Sequence, residues 1–239
     1  MLSFFSTLDL VALAIFVFAW IIYALVLEGT SIGLSGLNGR LDAYRELWFQ
    51  RTLARDARMV DMQIMTALHS GTAFFASTSL IAIGAALGLL RATEEVLPLL
   101  SGLPVSVITS REQWEAKTLG LVVILVYAFF KFSWSYRLFN YVAIMLGAMP
   151  PMAEKDTPEA QAHVAKTTCI FQEAGRHFNR GQRALFVALG YLGWYVHPLV
   201  LIATTAAVFV VMVRRQFDSV PLRALKDPAG ADRALKDQE

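Results

Sequence analysis

The segment from residue 176 to residue 183 contains the residue types best suited to binding an anion. Three arginines and one histidine fall within these eight residues. The candidate residues are Arg176, His177, Asn179, Arg180 and Arg183. A guanidinium binds phosphate oxygens two at a time, so such a cluster beside a membrane can bind a phospholipid phosphate or a small anion. Interfacial anchoring, with ion pairs to Glu173, Asp56 or Asp61, explains the same residues, and the sequence leaves both interpretations open.

Two polar residues of the preceding apolar run, Arg137 and Asn140, could belong to the same site. At about 100° per residue they share one helix face, whereas Lys131 points roughly the opposite way. The run reaches the membrane boundary near Arg137 and the chain returns to that boundary near residue 178, so we expect these residues to converge with the cluster. The alternative is that the run, at roughly 42 Å, is longer than the bilayer, so that Lys131 extends to the interface and Asn140 lies there.

A histidine inside the last apolar run, His197, is a further candidate for a functional residue. It shares a helix face with Gly190 and Gly193, and Pro198 follows it. A proline inside a helix frees a carbonyl one turn earlier, so the sequence predicts a kink with a small polar pocket beside His197. A close helix contact in which His197 is hydrogen-bonded to a partner helix is the simpler explanation.

Small residues recur on one face of the second apolar run. They are Ser70, Ser77, Gly84 and Gly88, and the last two form a G-x-x-x-G step. Small side chains let the backbones of membrane helices approach closely. We therefore expect the second and fourth membrane helices to pack through Ser77, Gly84, Gly190 and Gly193.

The sequence contains no pattern that indicates catalysis, a metal or a cofactor. The four histidines are His69, His163, His177 and His197. They supply no pair at matching membrane depth, which a haem between helices requires. Cys169 is the only cysteine, so a disulfide within the chain is excluded. Zinc motifs, nucleophile elbows and phosphate-binding loops are absent as patterns, and we expect no catalytic residue, metal or cofactor.

Four apolar runs must position these candidate residues. They are Leu8–Leu27, Thr72–Leu90, Leu119–Leu146 and Ala184–Val213. Each is long enough to cross a bilayer, and hydrocarbon offers no water to backbone groups, so a helical bundle is expected. With 56% apolar and 17% charged residues, the composition agrees. The sequence predicts one all-α integral membrane domain of four transmembrane helices over residues 1–225, with amphipathic or interfacial helices in loops one and three. Residues 226–239 should form a polar, disordered tail.

Four crossings would place both termini on the same side of the membrane. Loops one and three hold ten Lys and Arg residues, whereas the N-terminus, loop two and the tail hold nine. When the distal Arg233 and Lys236 are left out, the positive-inside rule favours loops one and three in the cytoplasm. We expect this orientation in a bacterial cytoplasmic (inner) membrane.

Four runs of the sequence resemble a known family. They are Ser70–Leu80, Ala128–Tyr141, Arg176–Ala184 and Trp194–Pro198, followed by Arg214, Arg215 and Phe217. In this order they are similar to the hallmark runs of a family of bacterial and plant multi-span integral membrane proteins catalogued as a domain of unknown function. The resemblance covers roughly Leu8 to Leu225. It implies a multi-span membrane protein and supplies no reaction, substrate or cofactor.

Two classes of function remain for such a chain. The small-residue stripes and the lack of a catalytic set favour a non-enzymatic scaffold or accessory subunit of a membrane complex. The alternative is a carrier or channel for a small anion or lipid head group, which with four spans would have to be oligomeric. Either role implies membrane lipids and a homo-oligomer or a larger membrane complex as partners. The small formal net charge of +2 gives no indication of nucleic acid binding.

Overall fold

Helices form almost all of the chain that the structure, a computed structural model, describes, namely residues 5–95 and 110–226. In chain order they are α1 (Thr7–Gly29), α2 (Ser31–Ser35), α3 (Leu37–Leu53), α4 (Met59–Arg91), α5 (Arg111–Gly147), α6 (Pro158–Tyr191), α7 (Pro198–Phe217) and α8 (Val220–Lys226). Short 3-10 helices at Met152–Glu154 and Leu192–Tyr195 precede α6 and α7. The predicted all-α bundle is confirmed. The predicted disordered tail, from residue 227 on, lies outside the described residues.

Short polar side chains start the long helices. Ser6 Oγ accepts a hydrogen bond from the Asp9 amide at 3.1 Å, and the Asp9 carboxylate accepts one from the Ser6 amide at 3.2 Å. Ser110 caps α5, and Thr157 caps α6 with Pro158 in its first turn. Each cap satisfies amides that have no partner inside the helix, so these residues fix where the helices begin.

In the part of the chain that the structure describes, four helices are long and apolar enough to cross a membrane. They are α1, α4, α5 and α7, the last continuing into α8. The polar loop one is helical, as expected, but it breaks at residues 54–58. Its interfacial helix therefore ends at Leu53, and the residues from Met59 on belong to α4.

The fourth apolar run is a helical hairpin, so the single kinked helix predicted there is wrong. The chain reverses between Tyr191 and Pro198, and Thr204 Oγ1 donates to the Gly190 carbonyl at 2.7 Å. Residues equally far before and after His197 therefore lie side by side, and α6 and α7 are antiparallel. Pro198 occupies the first turn of α7, where backbone amides have no partner within the helix and a missing N–H loses no hydrogen bond. Pro198 therefore starts a helix here and does not bend one.

Helix α6 is a fifth pass along the bundle, although its composition is too polar for a typical membrane span. It packs antiparallel against α5 along most of its length. Ser135 Oγ donates to the Ala174 carbonyl at 2.8 Å, and Tyr191 OH donates to the Lys117 carbonyl at 3.0 Å. The apolar residues from Ala184 to Tyr191 bring the chain back to the end of the bundle where α1 begins.

An odd number of passes places the start of α1 and the end of α7 at opposite ends of the bundle. At one end, Trp194 Nε1 donates to Asp9 Oδ1 at 2.7 Å, and we call this the Asp9 end. At the other, Asn38 Nδ2 donates to Gln216 Oε1 at 3.1 Å, and we call this the Gln216 end. The expectation that both termini share a side rests on four passes and leaves out the return of α6.

The long helices extend beyond α1 at the Gln216 end. Helices α4 and α5 have 33 and 37 residues, whereas α1 has 23. They therefore exceed a hydrocarbon core of about 30 Å by roughly 20 Å. The extra turns pack with α3 and the first half of α6 around Phe49, Met65, Phe139 and Phe171. This extension is a second helical layer that continues the membrane bundle.

Cysteine labelling should detect this topology. With Cys169 replaced by Ser, we expect Glu46→Cys and Asp218→Cys to react with an impermeant maleimide from one side of the membrane and Glu112→Cys from the other. All three positions are exposed, so labelling should reflect sidedness alone. Labelling of Glu112→Cys and Asp218→Cys from the same side would restore an even number of crossings and contradict the structure.

Candidate functional site

The arginine cluster lies at the Gln216 end, where the middle of α6 meets the end of α1. Arg180 donates to both carboxylate oxygens of Glu28, through Nε at 2.8 Å and Nη2 at 2.9 Å. Arg183 Nη2 donates to Glu28 Oε1 at 2.6 Å. A spacing of three residues puts both guanidiniums on one face of α6, so a single carboxylate joins two turns of α6 to α1.

A second carboxylate, Glu173, lies close to Arg176, His177 and Arg180 of the cluster. It accepts from Arg176 Nε at 2.6 Å and lies 3.2 Å from His177 Nε2 and 3.7 Å from Arg180 Nη1. Burial alone would raise the pKa of Glu173, but the Arg176 hydrogen bond and the neighbouring positive charges outweigh it and lower the pKa. The pKa of His177 is lowered by burial and by the charges of Lys131 and Arg180. Glu173 is thus held ionised, and neutral His177 is favoured.

Of the three carboxylates predicted as partners for the cluster, Glu173 takes this role. Asp61 lies instead between α3 and α4, where its Oδ1 accepts from Trp48 Nε1 at 2.6 Å and from Thr52 Oγ1 at 3.1 Å. Asp56 is exposed in the break between those helices. The sequence did not suggest Glu28 as a partner. Glu28 stands at the end of an apolar run and is 152 residues away from Arg180.

The structure divides the predicted polar site between two surfaces. Arg137 is exposed on α5, and its Nε donates to the Tyr141 hydroxyl at 2.7 Å. Arg137 lines a shallow depression with Lys131 and His177, whereas Arg176, Asn179 and Arg180 line a different cavity. Asn140 is exposed and lines neither of these two cavities. These positions fit better with the alternative, in which α5 is longer than the bilayer is thick.

Two cavities meet at the Gln216 end. A polar cavity of about 310 Å³ is lined by Arg176, Arg180 and Arg183 of α6, and by Glu28 and Asp42. A mostly apolar cavity of about 480 Å³ lies between α3, α4, α5 and α6. Asn38 and Asn179 line both, so the polar cavity and the apolar cavity adjoin.

His197 and the glycines near it have a structural role in the hairpin. His197 Nδ1 accepts from the Leu199 amide at 3.0 Å, so the imidazole caps α7. A methyl group on Gly193 would collide with the Thr204 hydroxyl, and one on Gly190 would press on Val208. These two glycines let α6 and α7 pack closely. The predicted pocket beside a kink is replaced by this turn.

The small residues of the second span do not meet α7. A side-chain carbon added at Gly84 or Gly88 would meet no atom within 4 Å, and Ser70 and Ser77 are exposed. The predicted packing of the second and fourth spans through this face is therefore wrong within the chain, because α4 turns its small residues outward.

A buried ion pair at the Asp9 end was not predicted. Lys117 Nζ lies 3.6 Å from Asp9 Oδ1, with side-chain exposures of 2% and 3%. Lys117 Nζ also donates to the Trp194 carbonyl at 2.9 Å and lies 5.0 Å from the centre of the Trp194 ring. The sequence did contain a signal, because Asp9 is the only charged residue among residues 1–27 and a charge at the end of a span requires a partner.

The sequence profile of a family described as "Protein of unknown function, DUF599" matches residues 11–221. The chain belongs to the DUF599 family. The resemblance noted from the sequence runs is thus confirmed. Searches of curated proteins and of solved structures give no match to this DUF599 protein.

The arginines of this DUF599 site are suited to binding an anion. Guanidinium groups stay protonated at all ordinary pH values, so Arg176, Arg180 and Arg183 can hold negative charge but cannot transfer protons. Over residues 5–95 and 110–226 there is no group of three or more His, Cys, Asp and Glu side chains that could hold a metal ion.

The buried ion pair of the DUF599 chain should be measurable by a double-mutant cycle. Lys117→Met leaves the Asp9 carboxylate buried without its cation, which should cost about 3–5 kcal/mol and lower the thermal midpoint in detergent. Asp9→Asn combined with Lys117→Met should recover much of that loss. The control is Lys166→Met, at an exposed lysine of α6. Equal midpoints for the single and double variants would contradict the pairing.

Proposed function

We propose that this protein is a non-enzymatic membrane module, a scaffold or accessory subunit, that associates with another membrane helix through α4. The supporting observation is the outward G-x-x-x-G face of α4. Gly84 and Gly88 have open space where a side chain would be, and Ser77 lies about two turns before Gly84 on the same face. A second helix can approach this backbone closely.

The surroundings of this face suit a partner within the membrane. Ile81 and Phe74 are 73% and 64% exposed beside the small residues, and α4 is apolar enough to span the bilayer. Lipid tails are as apolar as these side chains, so exposure of apolar surface alone does not drive association there. Close van der Waals packing does, and a face of glycine and serine between larger apolar side chains provides it.

Photo-crosslinking in native membranes tests the association. A benzophenone amino acid at Ser77 should give an adduct with a second copy of the chain or with another membrane protein. Gly84→Leu should lower that yield about tenfold by blocking close approach. It should leave the thermal midpoint of the monomer unchanged, because a side-chain carbon at Gly84 would meet no atom of the described residues within 4 Å.

The control crosslinker position is Ala206, which is exposed on α7. It should give little adduct. Equal yields at Ser77 and Ala206, or a yield that Gly84→Leu does not alter, would contradict association through α4.

A carrier or channel for a small anion or lipid head group is the second candidate. The polar cavity lined by Arg176, Arg180 and Arg183 favours it. Against it, Glu28 and Glu173 already pair with all three guanidiniums, which is the pattern of a structural clamp. The scaffold role is therefore the better supported.

We also propose that the Gln216 end faces the cytoplasm. Sixteen described Lys and Arg residues lie toward that end, and three lie toward the Asp9 end. Those toward the Gln216 end are Arg40, Arg45, Arg51, Arg55, Arg58, Lys131, Arg137, Lys155, Lys166, Arg176, Arg180, Arg183, Arg214, Arg215, Arg223 and Lys226. Those at the Asp9 end are Arg91, Arg111 and Lys117. Under the positive-inside rule this asymmetry supports a cytoplasmic Gln216 end.

A fusion after the last residue tests this orientation. A green fluorescent protein placed there should be fluorescent, and an alkaline phosphatase placed there should be inactive, since the first requires the cytoplasm and the second an oxidising compartment. The same pair of reporters fused after Glu112, in truncated chains, should give the reverse. An active phosphatase at the C-terminus would overturn the proposal.

A further inference from the structure

We propose that the two adjoining cavities at the Gln216 end form one binding site for a single-chain lipid with an anionic head group. The apolar cavity would hold the chain and the arginine-lined cavity the head group. This inference is independent of association through α4, because neither cavity includes the outward face of that helix.

The apolar part is a groove between α3 and α4. These helices meet at their connection, where Trp48 of α3 binds Asp61 of α4. From there the groove is lined by α3 back to Asn38 and by α4 on to Thr72. Phe139 of α5 and Phe171 of α6 lie in the floor. Tyr44 and Ile64 are 53% and 42% exposed at its edges, so the groove opens to the surroundings. Its volume of about 480 Å³ is within the range of about 300–1,000 Å³ usual for ligand sites.

The size and position of the groove favour one chain. At roughly 30 Å³ for each water-sized group, 480 Å³ accommodates one chain of about 16 such groups and leaves no space for a second. The floor residues Phe139 and Phe171 belong to the layer that extends beyond α1. A two-chain lipid anchored in the bilayer would have to withdraw one chain to reach that layer, whereas a single-chain lipid can enter whole.

The polar part supplies charge complementarity for the head group. Three guanidiniums, of Arg176, Arg180 and Arg183, line the polar cavity together with two carboxylates, of Glu28 and Asp42. Outside this lining, Glu173 pairs with Arg176 and Arg45 pairs with Asp42. One positive charge is therefore in excess. The amide side chains of Asn38 and Asn179 line both cavities, so they lie where the head group would join the chain. A carboxylate or a phosphate monoester fits this set, because guanidiniums and amides can donate to either.

Gly71 offers a direct way to fill the groove. It lines the apolar cavity, and a side-chain carbon there would meet no atom within 4 Å. Gly71→Leu should therefore occupy the space of the lipid chain without displacing a neighbour, and a leucine is favoured over glycine inside a helix. Arg176→Gln removes one guanidinium from the polar part, at an exposed residue whose ion pair is with Glu173.

Native mass spectrometry of the full chain in mild detergent, titrated with oleate, measures this binding. We expect one oleate per chain, with methyl oleate binding at least tenfold more weakly because it lacks the charge. Gly71→Leu should weaken oleate binding at least tenfold and Arg176→Gln at least threefold. The matched controls are Ala85→Leu on α4 and Arg51→Gln on α3, both exposed and outside the two cavities, and both should bind as the parent does.

Three results would overturn the proposal. They are equal affinity for oleate and methyl oleate, unchanged affinity in Gly71→Leu, and displacement of oleate by phosphatidylglycerol at equal concentration, which would indicate a site for two-chain lipids. Thermal midpoints establish that each variant is folded. If Gly71→Leu does not fold, Ala67→Leu, one turn earlier in the same cavity lining, takes its place with the same expected loss.

Discussion

The buried contact between Asp9, Lys117 and Trp194 links three separate parts of the chain at one end of the bundle. Asp9 belongs to the first turns of α1, Lys117 to the second turn of α5, and Trp194 to the 3-10 helix after α6. Two charges with side-chain exposures of 2% and 3% are stable only while paired and hydrogen-bonded. The ends of these three elements must therefore meet at the Asp9 end of the bundle. For Trp194 to reach Asp9, α6 has to run back along the bundle to that end.

A second set of charges fixes the opposite end. Glu28, one residue before α1 ends, accepts from Arg180 and Arg183, and Glu173 holds Arg176 on the same helix. Helix α6 can lie against apolar helices despite its charges, because these are concentrated at the Gln216 end, where Glu28 and Glu173 pair with the arginines. Its remaining turns, from Ala184 to Tyr191, carry no charge and pack around Val187 and Ala188 in the core.

Together the polar contacts at the two ends of the bundle explain where the cavities lie. With α1 held at both ends, the additional length of α4 and α5 extends beyond the Gln216 end, where α3 and α6 cover it. Helices α3 and α4 are joined near Asp61, and the groove between them adjoins the arginine-lined cavity. The same arginines that hold α6 to α1 thus form one wall of a cavity.

The sequence by itself determined the class of fold, the existence of the membrane helices and the location of the cationic cluster. Apolar runs of bilayer length dictate helices, since backbone groups in hydrocarbon must bond within their own segment. Ser110 and Pro158 are also local signals for the starts of α5 and α6. These features depend on local composition and spacing, which the sequence displays directly.

Only the tertiary structure decided the course of the last apolar run and the partners of the charges. The run from Ala184 to Val213 has the same composition whether it forms one kinked helix or a hairpin, and Pro198 is compatible with both. Its reversal depends on the link from Trp194 to Asp9, 185 residues apart, just as the cluster depends on Glu28, 152 residues from Arg180. The outward direction of Gly84 likewise follows from which face of α4 packs on α5. Hydropathy and periodicity report what each segment can bury but not which distant group will meet it, because that choice is made by the packing of the whole bundle.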